Sequence, residues 1–270
     1  MRIGRRRTET DPGDDGVVVE LAGRSARLRD EPEVVQEQER ARLPLTVVGV
    51  SGGYDGVDVV HDIAFEVQPG DILAITGPSG AGKSTLLWTL MGAQEASGGR
   101  VQVGAQRIGS HADALEAGVR LMPQGNALAA TLTAAENIVL PLLATGVEPA
   151  QAEARAAQSL DAVGLGDSGD HLVEELSGGQ QQRAAAARLL AASADVLLAD
   201  EPTSDLDAVN RARIMALLRA EARAGAVVVV TTHDPEAAAE ADAEIHLDEG
   251  RMTWVRGRER AEREEGVPAQ

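Results

Sequence analysis

The segment from Gly77 to Thr85, GPSGAGKST, constrains this chain more than any other. It follows the apolar run DILAIT and opens a stretch of helical pattern, so the spacing G-x-x-x-x-G-K-[ST] stands at a strand-to-helix junction. Glycines let the backbone curl until its amide hydrogens converge, and the following helix adds the positive end of its dipole. The segment therefore predicts a loop that binds the phosphates of a nucleotide.

Residue types within this loop have separate predicted tasks. Lys83 supplies a positive charge for the β and γ phosphates, and Ser84 offers a hydroxyl of the kind that Mg²⁺ prefers. A glycine-rich turn that matches by chance is the alternative, but it does not account for the position between a strand and a helix. The predicted nucleotide-binding residues of the loop are Gly77, Pro78, Ser79, Gly80, Ala81, Gly82, Lys83, Ser84 and Thr85.

Two adjacent acids end a second apolar run, VLLADEP, at residues 196–202. Open α/β sheets build their sites at the carboxyl ends of strands, so Asp200 is predicted to face the phosphate loop and to hold Mg²⁺ or its bound water. Glu201 is predicted to orient or deprotonate the attacking water. A helix cap or a surface acid pair is the alternative, yet acids behind a buried strand need a nearby cation.

The apolar patterns predict an α/β fold. Residues 195–200 and 226–233 are continuously apolar, which fits central parallel strands covered on both faces by helices. Helical patterns at 180–194 and 208–224 alternate with them. Residues 125–175 carry helical patterns without strong strands, and we predict a helical lobe inserted there.

Changes in composition and hydrophobic pattern along the chain give the predicted domain limits. Residues 1–43 are predicted to be a mostly disordered extension with a possible short strand at Val17 to Leu21. The catalytic domain is predicted to span 44–255, and 256–270 to be a charged tail.

Composition excludes several classes. Lys and Arg number 25 against 43 Asp and Glu, a net charge of −18, and the only basic cluster is Arg5 to Arg7. Nucleic-acid binding is therefore disfavoured. Cysteine is absent, which excludes disulfides and thiolate metal sites. The apolar runs are far shorter than the roughly 20 residues that cross a bilayer, so direct membrane insertion is not expected.

The segment LSGGQQQR, Leu176 to Arg183, precedes the carboxylate strand, and Ser177 and Gln180 have the spacing of a capping box. With the phosphate loop and the acid pair, it makes the chain resemble the ABC ATPase family over residues 45–255. The resemblance implies a P-loop NTPase of ABC ATPase type, with a RecA-like parallel-sheet core. It also implies an N-terminal antiparallel β subdomain and an inserted α-helical subdomain.

The same resemblance implies a site shared between two subunits. Its signature residues contact the γ-phosphate of ATP held by the opposite subunit, and they are Ser177, Gly178, Gly179 and Gln180. In the family, the loop that Ser204 to Asp207 matches crosses the dimer interface. The glutamine that Gln124 matches touches Mg²⁺ and senses the membrane partner, so the resemblance implies Ser84, Gln124 and Asp200 as the metal set.

Roles are predicted for three further side chains, with a structural alternative for two of them. His233 is the implied switch histidine that contacts the γ-phosphate, although a lone histidine after a strand is often structural. Together with Glu201 and Lys83 it completes the catalytic set. Tyr54 is implied to stack on adenine, with an ordinary surface tyrosine as the alternative. Trp88 is predicted to pack in the core.

The stretch Leu132 to Gly146, LTAAENIVLPLLATG, is similar to a segment of the lipoprotein-releasing, macrolide-export and cell-division ATPase subunits. Thr133 and Glu136 have capping-box spacing. That subfamily often carries an aromatic residue after the glutamine, whereas this chain has Gly125, Asn126 and Ala127. A coupling helix of a membrane permease is expected to dock near Gln124, against exposed Leu128 and Leu132.

The sequence thus predicts an ATP-binding and ATP-hydrolysing subunit, using ATP and Mg²⁺, that works as a homodimer or heterodimer on a permease at the cytoplasmic face of the membrane. DNA-repair relatives carry long insertions between loop and signature, but Lys83 and Ser177 are only 94 residues apart. Ribosome-acting relatives have two ATPase units. A mechanotransmission role, in which the partner is regulated without cargo transport, stays open.

Overall fold

A computed structural model describes residues 20–21, 24–25 and 43–257. The chain divides into two units, Met1–Glu39 and Arg40–Gln270. In the first unit, β1 (Glu20–Leu21) pairs antiparallel with β2 (Arg24–Ser25). Strand β1 falls within the predicted strand at 17–21. Nearly all other residues of the predicted extension, and most of the predicted tail, lie outside the described residues.

The second unit alternates strands and helices from Leu45 to Arg256. In chain order its elements are β3 (Leu45–Tyr54), β4 (Val57–Val67), β5 (Ile72–Thr76), α1 (Lys83–Leu90), β6 (Ala96–Val103), β7 (Gln106–Ile108), α2 (His111–Glu116), β8 (Val119–Met122), α3 (Glu136–Ala144), α4 (Pro149–Ala162), α5 (Gly178–Ala191), β9 (Val196–Asp200), α6 (Ala208–Arg223), β10 (Val227–Thr231), α7 (Pro235–Ala239), β11 (Ala243–Asp248) and β12 (Arg251–Arg256).

Two sheets organise this unit. The larger has the order β12-β11-β5-β10-β9-β8, in which every neighbouring pair is parallel except β11 and β12. The smaller is antiparallel, with the order β4-β3-β6-β7. A parallel core beside an antiparallel β subdomain and a set of inserted helices is the fold class that the sequence predicted.

The central strands are buried on both faces, as their continuous apolar pattern predicted. Leu197 and Ala199 of β9 belong to one hydrophobic cluster, and the alternating Val196 and Leu198 belong to another. Helices α3 to α6 supply most of the partners on the first face. The second face is covered by α1 and by the antiparallel sheet, so the prediction of helices on both faces is right only in part.

Capping boxes begin two of the helical segments at the predicted residues. The Thr133 hydroxyl accepts the Glu136 amide hydrogen at 3.1 Å, while a Glu136 carboxylate oxygen accepts from the Thr133 amide at 2.8 Å. Ser177 and Gln180 exchange the same two bonds at the start of α5. These reciprocal bonds satisfy amide hydrogens that a helix start leaves without partners.

Two predictions about apolar side chains are wrong. Trp88 lies on the outer side of α1 and is 36% exposed, because the core beneath α1 is filled by its aliphatic neighbours. Leu128 is half-buried and packs against the larger core cluster, and Leu132 is also half-buried. The exposed leucines of the helical lobe are instead Leu140 and Leu143, at 48% and 37%.

No helix among the described residues is long and apolar enough to cross a membrane.

Candidate nucleotide-binding site

Four loops leave the parallel sheet at one edge, because the strands that precede them end in register. Thr231 of β10 pairs with Ile75 of β5 on one side and with Asp200 of β9 on the other. Met122 of β8 pairs with Ala199. The phosphate loop, the acid pair, His233 and Gln124 therefore emerge at the same sheet edge, where open α/β sheets place their ligands.

The phosphate loop depends on glycines at its two ends. Gly77 has a φ of +143°, and a Cβ there would lie 2.0 Å from the carbonyl oxygen of Leu247. Gly82 has a φ of +101° and forms the left-handed N-cap of α1. Side chains at either position would strain the backbone, so the glycines fix the path of the loop.

Lys83 is the first residue of α1, and its ammonium group lies over the loop. Its Nζ donates hydrogen bonds to the carbonyl oxygens of Gly77 and Pro78 at 2.8 and 3.2 Å. The same atom lies 3.8 Å from Oε1 of Glu201. The charge thus stands between the loop and the acid pair, next to the amide-rich start of a helix, where an anion is stabilised.

The other residues of the phosphate loop differ in how far they are exposed to solvent. Pro78, Ser79 and Gly80 are exposed, and a Cβ at Gly80 would meet no described atom within 4 Å. Thr85 is buried on the core side of α1, and Ser84 is half-buried. The open stretch of main chain is therefore available to a ligand, while the side chain of Thr85 is enclosed by the protein.

Tyr54 ends β3 and is 49% exposed. It lies at the tip of a hairpin, since Tyr54 pairs with Val57 across the turn. Strand β4 of this hairpin contacts the phosphate loop, because a Cβ at Gly82 would lie 2.9 Å from Val60. The hairpin thus places an exposed aromatic ring on the element that borders the loop.

Asp200 is 3% exposed, and its Oδ1 accepts a hydrogen bond from the hydroxyl of Thr231. None of the ion pairs found among residues 43–257 involves Asp200. A buried carboxylate that accepts from a neutral hydroxyl and has no ion-pair partner in this part of the chain favours a cation beside it.

Glu201 is 8% exposed and adopts a φ of +51°, in the left-handed region. Non-glycine residues pay a conformational cost there, so surrounding bonds must hold the residue. Its amide donates to the hydroxyl of Thr231 at 2.9 Å and to the Thr231 carbonyl at 3.2 Å. The unusual backbone turns the carboxylate out of the strand and toward Lys83 and His233.

His233 follows β10, and its side chain is 68% exposed. Its Nδ1 lies 2.9 Å from Oε2 of Glu201. An ionised carboxylate only accepts hydrogen bonds, so Nδ1 carries the proton in this contact and Nε2 is left for another partner. The structure therefore joins the three predicted catalytic residues, Glu201, His233 and Lys83, into one group.

The signature segment lies at the start of α5. Ser177 and Gly178 are exposed, and a Cβ at Gly178 would meet no described atom within 4 Å. Gly179 is closer to the protein, because its Cβ would lie 3.2 Å from the carbonyl oxygen of Asp205. The open main chain at this helix start is a second place where an anion is favoured.

Gln182 was not singled out in the sequence, yet it is 3% exposed and contacts the acid-pair loop. Its Nε2 donates to the carbonyl oxygen of Glu201 at 2.8 Å and to the hydroxyl of Ser204 at 3.1 Å. Its Oε1 accepts from the amide of Asp205 at 2.9 Å. Its place among three consecutive glutamines gave no signal that one of them faces inward.

The loop after the acid pair ends at Asp207, the N-cap of α6, whose carboxylate accepts from the Asn210 amide at 2.8 Å. That amide hydrogen is the main reason why the pKa of Asp207 lies below its ordinary value.

Gln124 is exposed in the loop that follows β8. Arg188 of α5 holds the next residues, since its guanidinium donates to the carbonyl oxygens of Asn126 and Ala127 at 2.7 and 2.6 Å. Both residues have positive φ values, +68° and +47°. Burial lowers the pKa of Arg188 from its ordinary value. Arg188 is a second functional candidate that the sequence did not indicate.

Comparison with known proteins decides the family. The sequence model of the ABC transporter family matches residues 60–204, more than half of the chain. The chain belongs to the ABC transporter family. Its biochemical class is that of an ATP-binding ATP hydrolase.

Curated relatives of this ABC-family chain include the macrolide export ATP-binding/permease protein MacB of Salmonella typhimurium and of Salmonella paratyphi A. Each is 36% identical over 222 residues, which are 80% of this chain and 34% of the relative. The chain thus spans about a third of the length of these relatives.

Two solved structures of the ATP-binding cassette MJ0796 are similar to the fold. A dimer in a post-hydrolysis state, bound to ADP and Pi, has a TM-score of 0.72 and 29% identity, covering 79% of this chain and 99% of that one. Another dimeric structure of this bacterial ABC transporter cassette has a TM-score of 0.71 with the same coverage.

Proposed function

We propose that this chain is the ATP-hydrolysing subunit of an ABC transporter, in which two cassettes enclose ATP and their closure drives a membrane permease. The observation that carries the proposal is the pair of open main-chain surfaces at Gly80 and Gly178. One belongs to the phosphate loop and the other to the signature helix, and each suits an anion. A second cassette facing the first would cover both, as the dimeric relatives suggest.

In the proposed site, the loop amides and Lys83 hold the β and γ phosphates, and Tyr54 stacks on the base. Glu201 accepts the proton of the attacking water or orients that water. His233 contacts the γ-phosphate through Nε2, because its Nδ1 proton is engaged by Glu201. Ser177, Gly178, Gly179 and Gln180 of the other cassette approach the same phosphate from the opposite side.

The proposed metal is Mg²⁺, held by Ser84, Gln124 and Asp200 and by phosphate oxygens. The residues fit it, since Asp200 is a buried carboxylate without an ion-pair partner between residues 43 and 257, and the other donors are neutral oxygens. Among the described residues there is no cluster of three or more His, Asp or Glu that would hold a metal alone. Bound Mg²⁺ supplies positive charge that offsets the phosphates during hydrolysis.

The proposed partner is a permease, reached from the cytoplasmic side where ATP is available. The MacB relatives are ATP-binding/permease proteins and are about three times as long as the segment that matches. We place the docking face on α3, where Leu140 and Leu143 expose apolar surface. Mechanotransmission, without cargo transport, is the second candidate, and transport assays in sealed vesicles separate the two.

Complementation between two inactive variants tests the shared site. Lys83→Ala removes the loop charge, and Ser177→Arg blocks the signature surface, so each variant alone should lose ATP hydrolysis. In a mixed dimer, the loop of the Ser177→Arg chain meets the intact signature of the Lys83→Ala chain. Mixing the two should therefore restore part of the wild-type rate.

A matched mixture provides the control. In a mixed dimer of Lys83→Ala and Glu201→Gln, each of the two sites has its substitution in the chain that carries the phosphate loop. Neither site is then intact, so this mixture should stay inactive. If the first mixture also stayed inactive while both proteins were folded and dimeric, the site would lie within one chain. If wild-type protein with Mg²⁺ showed no hydrolysis above a Lys83→Ala blank, the proposed activity itself would be wrong.

A further inference from the structure

The side chain of Gln182 connects the signature helix to the catalytic loop of the same chain. Its carboxamide is buried, and all three of its bonds go to the segment from Glu201 to Asp205. The helix that carries it, α5, begins at the exposed Ser177 and Gly178 surface. In the proposed dimer, the segment around Glu201 and the start of α5 act on different ATP molecules, because the signature residues contact the ATP of the opposite cassette.

Glu201 needs support on both of its peptide groups. Its φ of +51° is unfavourable for a residue with a Cβ, because the side chain crowds the neighbouring carbonyl oxygen in the left-handed region. Thr231 fixes the peptide before it by accepting the Glu201 amide hydrogen. Gln182 fixes the peptide after it by donating to the Glu201 carbonyl at 2.8 Å. Losing the second bond frees the backbone to leave this conformation.

We infer that Gln182 is a positioning residue for hydrolysis, which holds the Glu201 carboxylate beside Lys83 and His233 and links it to the signature helix. The inference rests on the proposed function. Among the described residues, Gln182 is hydrogen-bonded to neither Lys83 nor His233, so it acts on the reaction through the Glu201 backbone and through the Ser204 and Asp205 loop. Ground-state ATP binding depends on the phosphate loop, which connects β5 to α1 and has no hydrogen bond to Gln182 in the described part of the chain.

The alternative is that Gln182 is only a satisfied buried amide that stabilises the fold. Asn137 offers a matched control, since it is also a buried carboxamide, 5% exposed, bonded to the main chain of residues 129 and 133. None of these bonds reaches the segment around Glu201. Replacing each amide by an apolar side chain of similar shape therefore compares the same chemical loss at two places.

The experiment measures ATP hydrolysis, ATP affinity and Tm for the full chain carrying Gln182→Met or Asn137→Leu. Gln182→Met should lower kcat by roughly 10-fold or more with KM and the ATP dissociation constant changed less than about 3-fold, the pattern of an interaction needed in the transition state. Asn137→Leu should lower Tm with kcat unchanged. Gln182→Glu keeps an acceptor for Asp205 but loses the donor to the Glu201 carbonyl, so its kcat should also fall.

Three results would overturn the inference. They are a wild-type kcat in Gln182→Met, a fall in kcat for Asn137→Leu of the same size as for Gln182→Met at equal loss of Tm, or wild-type activity in Gln182→Glu. None of them touches the proposed function, which fails only if the wild-type protein does not hydrolyse ATP. Failure of the two ideas is therefore distinguishable within one set of assays.

Discussion

The Nδ1 atom of His233 lies 2.9 Å from Oε2 of Glu201, and the Nζ atom of Lys83 lies 3.8 Å from the other oxygen of the same carboxylate. The carboxylate is 10% exposed, whereas the histidine is largely open to solvent. The Glu201 carboxylate thus lies between the ammonium group of Lys83 and the imidazole ring of His233. That arrangement suits the role proposed for Glu201, which is to orient or deprotonate the attacking water.

We expect Glu201→Gln to stall hydrolysis without preventing ATP binding. The amide keeps the size of the side chain but cannot take a proton, so kcat should fall by about 100-fold or more. ATP should then accumulate in a stable dimer, visible by size-exclusion chromatography. Glu236→Gln, which removes an exposed carboxylate that pairs with Arg211, is the control and should keep the wild-type rate. Wild-type turnover by Glu201→Gln would show that the base is misassigned.

Lys83 should be protected from chemical modification by ATP. It is the only lysine in the sequence, so an amine-reactive reagent has Lys83 and the α-amino group as its targets. Mass spectrometry of the peptide that contains Gly77 to Thr85 should show labelling that falls as ATP is added, and AMP, which lacks the β and γ phosphates, should protect less. Lys83→Ala should weaken ATP binding. Equal protection by AMP and ATP would contradict the phosphate contact.

Charge on α3 should weaken attachment to the proposed permease. Leu140→Glu and Leu143→Glu place carboxylates on the exposed apolar face, and docking would then desolvate them at a cost. The membrane protein that co-purifies with the wild-type chain in mild detergent should be lost from both variants, while ATP hydrolysis by the purified subunit stays unchanged. Val255→Glu, at another exposed apolar residue, should retain the partner. Unchanged co-purification would move the docking site elsewhere.

Asp207 should stabilise the fold in a pH-dependent way. Its pKa is lowered in the folded protein, chiefly by the Asn210 amide hydrogen, so its contribution is present above the unfolded pKa of about 3.9 and is lost as pH falls through the folded value. Asp207→Ala should therefore lower Tm near neutral pH, and the difference from wild type should shrink in acid. Asp170→Ala, at an exposed acid outside any helix, should show little difference at either pH. A constant difference would show that the cap does not depend on the carboxylate charge.

The sequence predicted the parts of the molecule that short patterns encode. The apolar run before Gly77 and the apolar run ending at Asp200 predicted buried strands. The position of Asp200 and Glu201 beside the phosphate loop was predicted because they follow the end of such a strand. The left-handed conformation of Glu201 was not predictable, because no local pattern marks it and it depends on bonds from β10 and α5. Gln182 and Arg188 escaped notice for the same reason, as their roles come from long-range contacts. Trp88 was misplaced because a large apolar residue on a helix was assumed to face the core.

Arg188 grips the loop after Gln124 through the carbonyl oxygens of Asn126 and Ala127. Every amino acid presents such an oxygen, so Arg188 contacts the backbone of this loop and not its side chains. A change of side chain after the glutamine therefore leaves the attachment to α5 in place wherever the new residue tolerates the left-handed backbone of Asn126 and Ala127.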